Sequence, residues 1–204
     1  MVSEQGIDDL AANLKPFQTA TLVFHGSEGF DRNTDSLKAV LADRQKSSEL
    51  ILFVDWSKHS VNRLTASYQG QRVGKKFANK LDIKAKHLHI IGISVGAFAA
   101  NAYVEQIKKF HQEARVKLTL LDPFVAKGLD FSYGIRVFGK NADVCQQFLN
   151  TDDPVPFTNK PLSSCSVIDV TSLRPEDVAG HDWPLVYYTK LIENFDLRAI
   201  ATLS

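Results

Sequence analysis

Cysteine is scarce in this chain: 204 residues contain two, Cys145 and Cys165. They fit no metal-ligand spacing, which leaves no cysteine-based metal site to expect. They are read as two free, partly buried thiols in preference to a disulfide. Charge of one sign is lacking too. With 24 Lys and Arg against 23 Asp and Glu, the formal net charge is +1, so nothing electrostatic calls for nucleic acid or an acidic membrane surface. The basic pairs Lys75-Lys76 and Lys108-Lys109 fall on the polar faces of predicted helices and read as solvated surface. No apolar run approaches the ~20 residues needed to cross a bilayer, so no stable membrane insertion is expected. Residues 1–16 lack the basic start and long apolar stretch of a signal peptide, and the expected location is cytoplasmic. No repeat, low-complexity segment or linker divides the sequence. It is read as one domain, 1–204, long enough to bury a full core.

What the sequence does have is a regular alternation. Short apolar, β-branched runs at 19–24, 50–54, 88–91, 116–121 and 166–170 suit buried parallel strands. Between them lie segments of helical period. These are 7–14, a helix carrying Leu37, Val40 and Leu41 that Thr34 or Asp35 can cap, and one with Val73, Phe77 and Leu81. A further helix carries Phe98, Ala102, Tyr103, Ile107 and Phe110, and a last one runs from 184 to about 200 with Leu185, Leu191, Ile192 and Phe195 inward. Residues 133–138 are a strand candidate, and 144–149 a strand or a helical turn. The pattern predicts an α/β protein with a doubly wound, mostly parallel sheet of about six strands, covered on both faces. Ligands in such sheets bind beyond the carboxyl ends of the strands. His25, Asp55, Ser94 and Asp122 each fall at such an end, and His181 follows the last strand after a loop.

The centre of this set is Gly92-Ile93-Ser94-Val95-Gly96. It follows an apolar run and opens a helical segment, the strand–turn–helix setting that gives G-x-S-x-G a physical meaning. A serine hydroxyl needs a base to take its proton and a third group to orient that base. Of the histidines after Ser94, His111 leads away from the strand ends, whereas His181 satisfies the order serine, acid, histidine. Two places supply an acid: Asp122 at the end of the fourth strand, and Asp152 or Asp153 in the loop before the last. The oxyanion of an acyl-transfer intermediate needs donors already aimed at it. The backbone N–H groups of Val95, after the serine, and of Ser27, in the loop after His25-Gly26, are the candidates. The His25 side chain is assigned to holding that loop. His87 and His89 read as a strand-entry pair without a third metal ligand. Asp55-Trp56 reads as a loop anchor.

The segments Val23-Phe24-His25-Gly26, Val54-Asp55-Trp56, Gly92-Ile93-Ser94-Val95-Gly96-Ala97 and Leu121-Asp122-Pro123, with His181, resemble the α/β-hydrolase superfamily. In detail they are similar to its pancreatic-lipase-type branch. In that branch the acid follows the strand that ends Leu121-Asp122-Pro123, so the resemblance implies Asp122. In the wider superfamily the acid follows the next strand, where Thr151-Asp152-Asp153-Pro154 falls. The stretch before His181 leaves no room for a large lid. The implied protein is a small lidless lipase or esterase. It would be a serine hydrolase that cleaves a small-molecule carboxylic ester through an acyl-enzyme, with Ser94, Asp122 and His181 as its triad and no metal or organic cofactor. Thioester or amide cleavage by the same triad, or a non-catalytic interaction module on the same fold, are the alternatives.

Overall fold

The computed structural model describes residues 1–3, 6–14, 17–27, 29–62, 65–81, 83 and 85–194. In chain order its elements are β1 Val2–Ser3, α1 Ile7–Asn13, β2 Phe17–Phe24, α2 Arg32–Asp43, β3 Glu49–Asp55, α3 Ser57–Ser60, α4 Ala66–Lys80, β4 Ala85–Ile93, α5 Gly96–Phe110, β5 Arg115–Leu121, α6 Tyr133–Val137, β6 Val144–Leu149, β7 Ser166–Asp169 and α7 Trp183–Asn194. The strands form one seven-stranded sheet in the order β1-β3-β2-β4-β5-β6-β7. Every pair in it is parallel.

Side-chain alternation divides the core into two layers, as a strand period of two requires. From β2, β4 and β5, residues such as Leu22, Ile90 and Leu118 meet Val73 and Phe77 of α4 and Phe98 and Tyr103 of α5 on one face. Their neighbours Val23, Ile91 and Leu121 meet Leu37 of α2 and Leu185, Tyr188 and Ile192 of α7 on the other. Central strands buried on both faces read as continuous apolar runs, which is why the sequence shows them so clearly.

Several expectations are corrected. The sheet has seven strands rather than about six; β1 is a two-residue strand on Val54 and Asp55, too short to leave a periodic signal. Residues 133–138 are not a strand. The aromatic and branched residues mimic strand alternation, but α6 forms instead, with Tyr133 stacked on Phe98 and the Gly134 N–H donating to the Val125 carbonyl. The cap of α2 is Asp31, whose carboxylate accepts the Thr34 N–H at 2.7 Å. Phe110, grouped with Phe98, Ala102, Tyr103 and Ile107 on one side of its helix, departs from that set at the end of α5, where it is 56% exposed. Val144–Leu149 resolves as a strand. Phe195, Pro16 and the end of the last helix near 200 lie outside the described residues.

The cysteines are not free: Cys145 and Cys165 are disulfide-bonded, with Cα atoms 4.5 Å apart. The cause is sheet register. Gln146 of β6 faces Ser166 of β7, so the residues just before them face each other as well. Sequence spacing carries no information about that pairing. The bond closes a loop over a sequence separation of 20, which the chain-entropy account values at about 3 kcal/mol. Replacing both cysteines by alanine is expected to lower unfolding free energy by about that amount in denaturant titrations. An unchanged midpoint would show that the bond does not hold the folded state.

Candidate active site

The site is built at the junction of β4 and α5. Ser94 sits there with φ of 51°, a left-handed conformation that costs a side-chain-bearing residue about 1–3 kcal/mol. Its backbone is held from both sides: the Ser94 N–H donates to Leu121 O at 3.0 Å, and Ser94 O accepts the N–H groups of Ala97 and Phe124. The flanking glycines are required by close approach. A Cβ on Gly92 would come within 2.8 Å of the Ala100 Cβ and the Ala97 Cα, and one on Gly96 would fall on the carbonyl oxygens of Phe24 and His25. The turn therefore presses α5 against the ends of β2 and β4, and the serine hydroxyl points outward.

His181 meets that hydroxyl. Its Nε2 lies 2.9 Å from Ser94 Oγ. Its Nδ1 lies 2.8 Å from Asp122 Oδ2 and also 2.8 Å from Asp153 Oδ2. Asp122 is 1% exposed and Asp153 3% exposed, so both carboxyl groups are buried. Asp122 also has a positive φ, 46°, and its N–H donates to Phe148 O of β6. The loop bearing His181 is fixed by Asn150, whose side-chain amide donates to the Gly180 carbonyl at 2.8 Å.

Burial works against a charged imidazole, but hydrogen bonds and charge from Asp122 and Asp153 outweigh it and raise the His181 pKa above its ordinary 6.5. Burial raises the Asp122 pKa as well. Asp153 is buried too, yet hydrogen bonds from Asp122, Thr158 and the Val155 N–H hold it below the usual carboxylate value. The ligand atoms of Asp122, Asp153 and His181 lie within 4.8 Å of one another, and they form the group among the described residues with spacing a metal ion could use. Those atoms are engaged in hydrogen bonds with one another and with Ser94, an arrangement suited to moving a proton.

Of the residues singled out from sequence, Ser94, Asp122, His181 and Asp153 come together. Asp152 does not: its carboxylate pairs with Arg174 at 3.0 Å, and its side chain is 47% exposed. Adjacent loop residues face opposite ways here, so one of the two reaches His181. The loop after β2 lies beside the serine, since a Cβ on Gly26 would be 3.4 Å from the Ser94 Cβ. His25 is fully buried. Its Nε2 accepts the Trp56 N–H at 3.1 Å, which leaves the proton on Nδ1 to donate to the Gly26 carbonyl at 2.7 Å. Burial lowers its pKa, consistent with that neutral form. Ser27, next in line, has its carbonyl held by the Ser60 hydroxyl. Asp55 accepts from Ser57 and so anchors the neighbouring loop. His89 hydrogen-bonds Thr119 inside the sheet layer, away from the serine. Thr158 and Asn150 escaped sequence reading, because loop residues that serve another side chain carry no period or motif.

No protein-family model matches this sequence, and no curated protein matches it. Solved structures do match in shape. A protein provisionally described as a cell surface hydrolase from Lactobacillus plantarum WCFS1 superposes with a TM-score of 0.57 at 10% identity, covering 92% of this chain and 97% of that one. A protein provisionally described as a hydrolase of the alpha/beta superfamily from Xanthomonas campestris pv. campestris gives a TM-score of 0.49 at 13% identity, over 89% and 100%. At 10% identity the first of these likenesses speaks to architecture alone: the chain has the α/β-hydrolase fold, a single parallel sheet of seven strands with helices on both faces.

The turn's tight packing is testable without any substrate. Gly96→Ala is expected to cost about 3 kcal/mol or more, at the upper end for overpacking, because its Cβ meets backbone rather than a movable side chain. Chemical denaturation of the variant with a wild-type midpoint would contradict the packing described.

Proposed function

We propose that the protein is a serine hydrolase of carboxylic esters. The observation that carries this reading is the unbroken line from Ser94 Oγ through both nitrogens of His181 to two buried carboxyl groups. Ser94 attacks the ester carbonyl carbon while His181 Nε2 takes the hydroxyl proton. The tetrahedral oxyanion is received by the N–H groups of Val95, at the turn into α5, and of Ser27, in the loop that His25 and Trp56 anchor. Collapse of the intermediate breaks the bond to the alcohol, which leaves with the proton from His181. Water, deprotonated by the same nitrogen, then releases the acid and restores the serine. Every step uses side chains and backbone of this chain alone.

The fold is shared by enzymes of several hydrolytic classes, so activity must be argued from the site. The same imidazole path serves esters, thioesters and amides alike, so the ester reading rests on the segments that resemble small esterases and on the comparison of esters with anilides. Thioester cleavage uses the same path. The pancreatic-lipase-type detail rests on the sequence segments that resemble that branch.

A fluorophosphonate probe is expected to label the wild-type protein at Ser94 and to leave Ser94→Ala unlabelled. That substitution should lower kcat on p-nitrophenyl esters by on the order of a million-fold, whereas EDTA leaves the wild-type rate unchanged. A wild type that neither labels nor turns over esters would refute the enzyme and leave a binding module. Faster turnover of matched anilides would reassign it as an amidase.

The pH dependence follows from the state of His181. A base must be neutral to accept the serine proton, and its raised pKa keeps it charged over a wider range than free imidazole. The ratio kcat/KM is therefore expected to rise with pH along a limb whose midpoint lies above 6.5. A plateau already complete at 6.5 would contradict the coupling to the two carboxyl groups.

A further inference from the structure

We infer that Asp153 is the carboxylate that holds His181, and that Asp122 is a neutral carboxylic acid donating its proton to Asp153. The inference builds on the roles proposed for Ser94 and His181 and divides the labour between the two acids behind them. His181 has one Nδ1–H to give, yet two carboxyl oxygens stand 2.8 Å from that nitrogen. The two carboxyl groups therefore crowd one nitrogen, with their ligand oxygens within 4.8 Å of each other. Two buried like charges at that range repel strongly, and one shared proton removes the repulsion. A proton kept on one of the two carboxyl groups is the arrangement that relieves this repulsion while leaving the imidazole free to act as a base.

The surroundings decide the carrier. Asp153 Oδ1 accepts the Val155 N–H at 3.0 Å, and Asp153 Oδ2 accepts the Thr158 hydroxyl at 2.6 Å. Thr158 is itself fully buried. These fixed donors solvate an anion in place of water. Asp122 is served differently: its Oδ1 is buried without a hydrogen-bond partner. An ionised carboxylate with an orphaned oxygen is expensive, whereas the carbonyl oxygen of a neutral acid is much less so. The titration tendencies agree, since burial raises the Asp122 pKa to about 7 while Asp153 is held low. The nearest further charge on this loop, Asp152, is already paired with Arg174.

The arrangement has a chemical purpose. Two ionised acids behind one imidazole would hold it protonated at rest and unable to act as a base. With one proton kept on Asp122, the imidazole faces a single negative charge and becomes available as a base at lower pH than two ionised acids would allow. When Ser94 gives up its proton, the imidazolium and Asp153 carboxylate cancel. Asp122 thus acts as a positioning residue that tunes the base through Asp153.

Two measurements test this. The first is infrared spectroscopy of the intact protein at neutral pH, where ordinary carboxyl groups are ionised. A protonated-carboxyl C=O band is expected in wild type and lost in Asp122→Asn; its absence from wild type overturns the inference whatever the protein's activity. The second is kinetics. Asp122→Asn can still donate to Asp153 and should keep kcat/KM within ~10-fold, whereas Asp153→Asn should lose about 10⁴-fold, the value of the orienting acid in a serine protease. An Asp122→Asn loss as large as that of Asp153→Asn, or larger, overturns the assignment. If Asp153→Asn does not fold, the infrared comparison of wild type with Asp122→Asn decides. A wild type that shows the band but neither labels with fluorophosphonate nor cleaves esters would refute the proposed function and leave the shared proton standing.

Discussion

The structure depends most on the close approach of β4, the first turn of α5 and the end of β2. Gly92 and Gly96 permit it, and Ser94 absorbs it in a left-handed backbone conformation. That strain persists because the surroundings over-determine it: hydrogen bonds tie Ser94 to Leu121 and Phe124, and α5 is buried along its inward face. The same contacts bring Asp122, at the end of the adjoining strand, to the level of the serine. The site is therefore a by-product of how a parallel sheet ends, with neighbouring strands delivering successive residues to one edge.

The second constraint is loop order. Around Ser94 gather three loops without regular structure, beside the strand end that carries Asp122, and each loop is pinned by a buried polar contact. His25 anchors the loop after β2 through Trp56 and the Gly26 carbonyl. Asp153 is pinned by Val155 and Thr158, and the His181 loop by Asn150. These bonds matter because a loop that rearranged by an ångström would lose the 2.9 Å contact between His181 and the serine.

The sheet was legible in the sequence because its central strands are buried on both faces and read as apolar runs. The meeting of Ser94 and His181 was legible because a strained strand-to-helix turn needs its glycines and because chain order admits one histidine. The carboxyl partner of His181 was only half legible. Sequence offered Asp122 and the pair Asp152 and Asp153 as alternatives, whereas the fold brings Asp122 and Asp153 to the same nitrogen and turns Asp152 toward Arg174. Which way a loop residue faces is decided by tertiary contacts that leave no periodic trace. The cysteines were misread for a related reason: strand register between β6 and β7 is a property of the sheet, invisible in the spacing of two residues. Residues 133–138 were misread because a short amphipathic segment can satisfy either period, and the stack of Tyr133 on Phe98 selects the helix.

The disulfide has a meaning beyond its worth to global stability. β7 is an edge strand of four residues, the kind of element that frays first. The covalent link fastens the chain just before it to β6, and the ring so closed contains both Asp153 and Thr158. The bond thereby resists any local opening of the sheet's edge that would carry the Asp153 loop away from His181. In a reducing environment that fastening is gone, and the lifetime of the assembled site becomes tied to the breathing of a four-residue strand.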